Sequence, residues 1–166
     1  MRKAGYAILV ALVLLTLLGP GCRRSAQTPS RQSAPPVRVA LTWGPEIEGL
    51  QCRLRPAKRL WNVDASPTFK LDLRNQGKRL FAFDTSEPVR ADRIWLDGRW
   101  YRWPDDQTGT AQVQPFAPDT ELTDLNLILP QASWLPLTPG YHDVAVAFVF
   151  EGLDVVSNRV SIGIAD

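Results

Sequence analysis

The sequence predicts an all-β domain, an antiparallel sandwich of two sheets, and three observations predict it. Beyond residue 36 the dominant hydrophobic period is two, breakers recur at short intervals, and no window of helical length holds an apolar stripe free of proline or glycine. Many short strands at such spacing, with no helix to cover a parallel sheet, favour two packed antiparallel layers.

The elements follow in order. Val37, Val39, Leu41 and Trp43 alternate with Arg38, Ala40 and Thr42. Leu50, Cys52 and Leu54 share one side of the next strand, opposite Gln51, Arg53 and Arg55. Phe69, Leu71 and Leu73 then alternate with Lys70, Asp72 and Arg74, and Val144, Val146, Phe148 and Phe150 face away from Ala145, Ala147 and Val149. Between these runs fall Asn75-Gln76-Gly77, Glu87-Pro88, Asp97-Gly98, Pro104-Asp105-Asp106, Pro115 to Pro118 and Pro139-Gly140. Strands are expected near 37–43, 48–55, 68–75, 79–84, 93–96, 99–103, 122–129, 141–150 and 155–164.

One stretch is unusual in composition: Trp95 to Pro104, WLDGRWYRWP. Asp-Gly between two alternating runs is the strongest short hairpin signal, because a type I′ turn needs positive φ at both central positions. With Asp97 and Gly98 in the turn, Leu96 faces Arg99, Trp95 faces Trp100, Ile94 faces Tyr101 and Arg93 faces Arg102. Directly opposed residues lie on one side of the sheet. Ile94, Leu96, Tyr101 and Trp103 therefore form the core side. Arg93, Trp95, Trp100 and Arg102 form an outer side with an arginine beside each indole, because burying it would strand two guanidinium groups. This outer side reads either as a cross-strand stabilising pair or as a candidate binding face.

Leu137-Thr138-Pro139-Gly140-Tyr141-His142, running into Asp143 to Phe148, resembles the turn before the penultimate strand of immunoglobulin-like sandwiches, where a side chain ties the corner to nearby backbone. Tyr141 or His142 would fill that place. WGPEIEGLQCRL, Trp61, PTFKLDLRNQGKR, LDGRWYRW, LTPGYHDVAVAF and VVSNRV together resemble an uncharacterised family of secreted or lipid-anchored bacterial domains with an immunoglobulin-like sandwich, over about 37–166. The resemblance implies such a sandwich of about 7–9 strands and an envelope setting, and it implies no catalytic residues. A looser similarity, in the Asn-x-Gly turn and the Pro-Gly before a late strand, is to bacterial intracellular proteinase-inhibitor domains; secretion argues against carrying that activity over.

The address comes from the first residues. Met1-Arg2-Lys3 precedes Ala4 to Leu18, an uncharged apolar run that as a helix reaches about 22 Å, short of the roughly 30 Å hydrocarbon core. This is a secretory signal pattern, expected over 1–21. Leu18-Gly19-Pro20-Gly21-Cys22 resembles the bacterial lipobox, which makes Cys22 the expected lipidation site and the new N-terminus, although Gly19 and Pro20 depart from the pattern. Residues 22–36 then read as the lipid-anchored cysteine and a disordered tether, since from Arg23 to Pro36 no aliphatic side chain exceeds alanine. The domain proper is 37–166, enough for one core.

Charge argues against nucleic acid. The chain has 19 basic and 17 acidic residues; losing Arg2 and Lys3 leaves 17 against 17, and setting aside Arg23, Arg24 and Arg31 leaves 14 against 17. A mildly acidic body lacks the basic stripe that phosphate binding needs, while the basic tether suits anionic lipid headgroups. If Cys22 carries lipid, Cys52 has no disulfide partner and reads as an inert core residue.

The sequence offers no recognisable catalytic or metal-binding constellation. One histidine and one cysteine cannot build a transition-metal site, and Asp105, Asp106, Asp119, Glu121 and Asp124 match no EF-hand pattern and read as solvated loop charge. No Gly-x-Ser-x-Gly elbow accompanies His142, and no apolar pocket is evident to raise a carboxylate, since the acidic residues fall in turns or on outward strand positions. The expectation is a non-catalytic envelope lipoprotein without cofactor, held to the membrane by its anchor, that binds or scaffolds an envelope protein. The alternatives are a carbohydrate or peptidoglycan binder using the aromatic hairpin, and an extracytoplasmic inhibitor or enzyme accessory subunit.

Overall fold

The computed structural model describes residues 42–104 and 110–166. The expected signal, Cys22, the tether, most of the first expected strand and Asp105-Asp106 lie outside the described residues.

The described chain is all-β, without a helix. Its strands are β1 (Leu50–Pro56), β2 (Leu60–Asn62), β3 (Thr68–Asn75), β4 (Phe81–Asp84), β5 (Arg93–Leu96), β6 (Arg99–Arg102), β7 (Val113–Phe116), β8 (Thr120–Ile128), β9 (Gly140–Phe150), β10 (Leu153–Val156) and β11 (Val160–Ala165). They form a three-stranded sheet in the order β1-β3-β8, a six-stranded sheet in the order β2-β11-β9-β5-β6 with β10 also on β9, and the pair β4-β7. All pairings between these strands are antiparallel except that of β2 with β11.

The period of two explains which side chains meet. Leu50, Cys52 and Leu54 of β1, Phe69, Leu71 and Leu73 of β3, and Val144, Val146, Phe148 and Phe150 of β9 are all buried in one core. Each large apolar side chain withdrawn from water contributes about 1.5–3 kcal/mol before entropy is set against it. Phe81, Phe83 and Phe116, from the β4-β7 pair, close over Phe150 with ring centroids 5.9, 5.8 and 6.2 Å away.

Two side chains clip strands that backbone pairing leaves apart. The Asn158 Oδ1 accepts the Leu54 N–H at 2.7 Å and its Nδ2 donates to the Leu54 carbonyl at 3.1 Å, so one amide copies a ladder pair between β1 and the β10–β11 connection. Asn75 does the same at the opposite end of β1's partner strand. Its Nδ2 donates to the carbonyls of Arg79 and Phe116, and its Oδ1 accepts from Gly77.

Three expectations are corrected. Thr42 and Trp43 are not in a strand; Trp43 instead lies half-buried against Arg53 and Arg74, their guanidinium carbons 4.5 and 4.3 Å from its ring centre. The expected strand 155–164 is two, because the chain leaves the β9 edge at Ser157 to Arg159 and rejoins it as β11. β2 and β7 were not anticipated, and together with the division of 155–164 they bring the strands of the described residues to 11. β2 has only three residues, and β7 contains Pro115, which demotes a run to a sheet edge where a missing N–H costs little.

Candidate functional site

The hairpin forms in the register that the sequence dictates. Asp97 and Gly98 have φ of 48° and 96°, and Arg93, Ile94, Trp95 and Leu96 stand opposite Arg102, Tyr101, Trp100 and Arg99. Ile94 and Leu96 are buried, Tyr101 and Trp103 pack against the core, and Trp103 meets Trp134 at 6.3 Å.

On the outer side Trp95 and Arg93 are half-buried, Arg102 is exposed, and Trp100 keeps 39% of its surface in water. Trp95 and Arg93 stand beside Ala145 and Ala147 of β9, whose small side chains are fully covered. Methyl groups at these positions leave room for an indole and a guanidinium to lie flat on the sheet.

An arginine stands over each indole. Arg93 lies 5.2 Å over Trp100 and reaches Asp154 of β10 at 2.5 Å. Over Trp95, at 4.2 Å, stands Arg159 from the β10–β11 connection. No local signal could have revealed Arg159, since β10 and β11 bring it to the hairpin from far along the chain. Each indole is thus capped by a guanidinium, an arrangement worth about 0.5–2 kcal/mol. Because Trp100 remains two-fifths exposed, Trp100→Ala should cost no more than about 1 kcal/mol in a urea melt; loss of the fold would mean that the indole is structural.

The turn is also fixed to its neighbour. Asp97 accepts the Asp143 N–H at 2.8 Å through Oδ1, and its Oδ2 lies 2.6 Å from Nδ1 of His142. His142 is buried, and its Nε2 donates to the Thr138 carbonyl at 2.7 Å, so it is the histidine that ties the corner, while Tyr141 is 64% exposed. The hairpin is therefore rigidly mounted. At its other end Arg90, Arg93 and Arg102 line a cleft of about 370 Å³ with Asp92 and Trp103.

A second charged cluster departs from the sequence reading. Asp72, expected on an outward strand position, is fully buried. Arg53 donates to it at 2.8 Å, Arg55 at 2.8 and 2.9 Å, and the Asp124 N–H at 2.9 Å. The last bond exists because β3 and β8 slip register between Leu71 and Leu73, a bulge that turns the Asp124 amide toward the carboxylate; Asp124 itself has φ of 59°. Burial pushes this carboxyl up, but the bonds from Arg55, Asp124 and Arg53 outweigh it and hold the group below the usual range. Asp72 is thus an ionised structural anchor and no general acid. Burial likewise pushes the Cys52 thiol well up, with the Asp72 charge adding to the effect, so that the thiolate is suppressed.

The sequence matches no protein-family model and none of the curated proteins compared with it.

Proposed function

We propose that the protein is a lipid-anchored envelope module in which an immunoglobulin-like domain, held by a tether from Cys22, binds a partner protein through the outer side of the β5-β6 hairpin. The fold part of this reading is supported by strand order. β11-β9-β5-β6 follows the succession of last, penultimate and central strands with an added hairpin strand that one sheet of such domains contains, and β1-β3-β8 supplies the facing sheet.

The observation that carries the functional part is the pair of indoles on a rigid outer surface, each under an arginine: Trp100 with Arg93 and Trp95 with Arg159. Tryptophan and arginine are the residues most enriched at the energetic centres of protein interfaces. A sugar ring needs an open indole face on which to stack, and the guanidinium 4.2 Å over Trp95 occupies one, so protein is favoured over glycan.

The test is affinity capture from solubilised envelope with the full-length chain and with its Trp95→Ala, Trp100→Ala variant, after circular dichroism shows that the variant folds. Capture of a protein by the first and not the second supports the reading. Capture of peptidoglycan fragments favours the glycan alternative, and equal capture moves the site to the loops. Fatty-acid labelling that survives Cys22→Ala would remove the lipid anchor from the account.

A further inference from the structure

The long strand β9 runs beyond its partner β5, and a cleft of about 360 Å³ opens beside its last residues. Phe83, Phe148 and Phe150 form the floor; all three belong to the core, so the floor is apolar. The rim carries Asp84, Glu87 and Asp92. A concave site that joins an apolar body to a few fixed polar groups is the usual form of a binding pocket.

Each carboxylate is held by neutral donors. Asp84 Oδ1 accepts from the Ser86 hydroxyl and amide and from the Gln112 amide. Glu87 Oε2 accepts from Asn126 Nδ2 at 2.7 Å, and Asp92 Oδ2 accepts the Val149 N–H at 2.7 Å. These bonds fix the three groups through one oxygen each; among the described residues the other oxygens, Asp84 Oδ2, Glu87 Oε1 and Asp92 Oδ1, have no hydrogen bond. Nor is any of the three in an ion pair among the described residues. The Ser86 hydroxyl above all holds the Asp84 carboxyl below the usual range, so Asp84 is ionised at neutral pH. Arg90 is the only cation of the described lining and is itself engaged, so negative charge is in excess. No three acidic side chains among the described residues converge closely enough to hold a metal ion. A rim with its charge spread out above an apolar floor suits an organic cation on an apolar stem.

Val149 links this cleft to the hairpin. It is 47% exposed and, with Asp92, lines both this cleft and the one bordered by Arg93, Arg102 and Trp103. We infer that the partner on the hairpin platform extends past Val149 and places a lysine or arginine side chain in the acidic cleft. Its aliphatic stem lies against Phe83, Phe148 and Phe150, and its charged head stands among Asp84, Glu87 and Asp92. The inference rests on the platform reading above and specifies its partner. Lysine and arginine are the side chains that join a long apolar stem to a cation. Opposite charge at such a site selects the partner as well as holding it.

The experiment uses the full-length chain in a non-ionic detergent and two rhodamine-labelled peptides, one alternating lysine with valine and threonine and the other with glutamine in place of lysine. Fluorescence anisotropy should show the lysine peptide binding at least about tenfold more tightly, with an affinity that falls as salt is raised. Glu87→Gln with Asp92→Asn removes two charges and keeps the acceptors for Asn126 and Val149. Circular dichroism should be unchanged while the lysine peptide binds at least about tenfold more weakly. Glu46→Gln with Glu121→Gln removes the same charge at exposed residues outside the cleft, and should leave binding within about twofold of the parent. Should the cleft pair lose structure, Glu87→Gln alone, at an exposed residue, should still weaken the lysine peptide by at least about threefold. Equal binding of the two peptides, absence of binding included, overturns the inference, and so do equal losses from the cleft pair and the remote pair. Envelope capture separates it from the platform. A protein lost with Trp95→Ala, Trp100→Ala and kept with Glu87→Gln, Asp92→Asn removes the cleft and leaves the platform; the reverse removes the platform, and retention by both variants removes both.

Discussion

Asp72→Ala should lower the unfolding free energy by about 3 kcal/mol or more, read from a urea melt at neutral pH. The carboxylate is fully buried and receives four hydrogen bonds, three from arginine and one from the Asp124 amide. Removing it leaves two guanidinium groups facing each other over β3 and strands the amide of a bulge. Water can reach Arg53 and Arg55, whose side chains are 22% and 29% exposed, and this keeps the loss near the lower end for a broken buried pair.

The same group predicts an acid limb. Its folded-state pKa lies below its unfolded value, so the stability it confers is present in full above about pH 4 and is lost as pH falls through the folded value. Asp84 behaves alike, lowered by the Ser86 hydroxyl, the Ser86 amide and the Gln112 amide against a smaller push from burial. In Asp72→Asn the fall in stability between about pH 4 and pH 2 should be shallower than in the parent. An unchanged slope would mean that other groups govern acid unfolding.

Gly49→Ala should be equally severe, about 3–5 kcal/mol, or should leave the chain unable to fold. Gly49 has φ of +86°, where an L side chain is strained, and a methyl group there would sit 2.2 Å from the Gly77 nitrogen and 2.3 Å from its α-carbon. Both contacts are backbone, so no side-chain rotation relieves them. Gly77 meets the reciprocal limit, since its own added carbon would lie 2.3 Å from the Glu48 carbonyl oxygen. By contrast Gly98→Ala meets no atom within 4 Å and should cost only the strain of its φ of +96°, about 1–2 kcal/mol. A urea melt showing comparable losses for Gly49→Ala and Gly98→Ala would contradict the close backbone approach.

Local pattern reached a long way into this fold. Alternation located β1, β3, β9 and the hairpin, because each carries its large apolar side chains on one face and the period of two is then visible in sequence. The turn chemistry of Asp97-Gly98 was sufficient to give the register of four opposed pairs, and hence which side carries the indoles. What sequence could not supply was anything decided across the sheets. Arg159 joins Trp95 only because β9 carries β10 and then β11 on the same edge. Asp72 has the spacing of an outward residue and obeys it, yet arginines from β1 roof it over and make an outward position a buried one. The three residues of β2 and the proline of β7 have no pattern of their own; pairing with β11 and β4 makes them strands.

The central claim is that the outer side of the hairpin is a working surface and not only architecture. Its most direct test places a photo-crosslinking amino acid at Trp100 in the full-length chain, in intact cells, with the same group at Val113 as a control that is 61% exposed and lies on β7. A discrete protein adduct at Trp100 that is missing at Val113 is the predicted result. Adducts absent at Trp100, or identical at both positions, would contradict it.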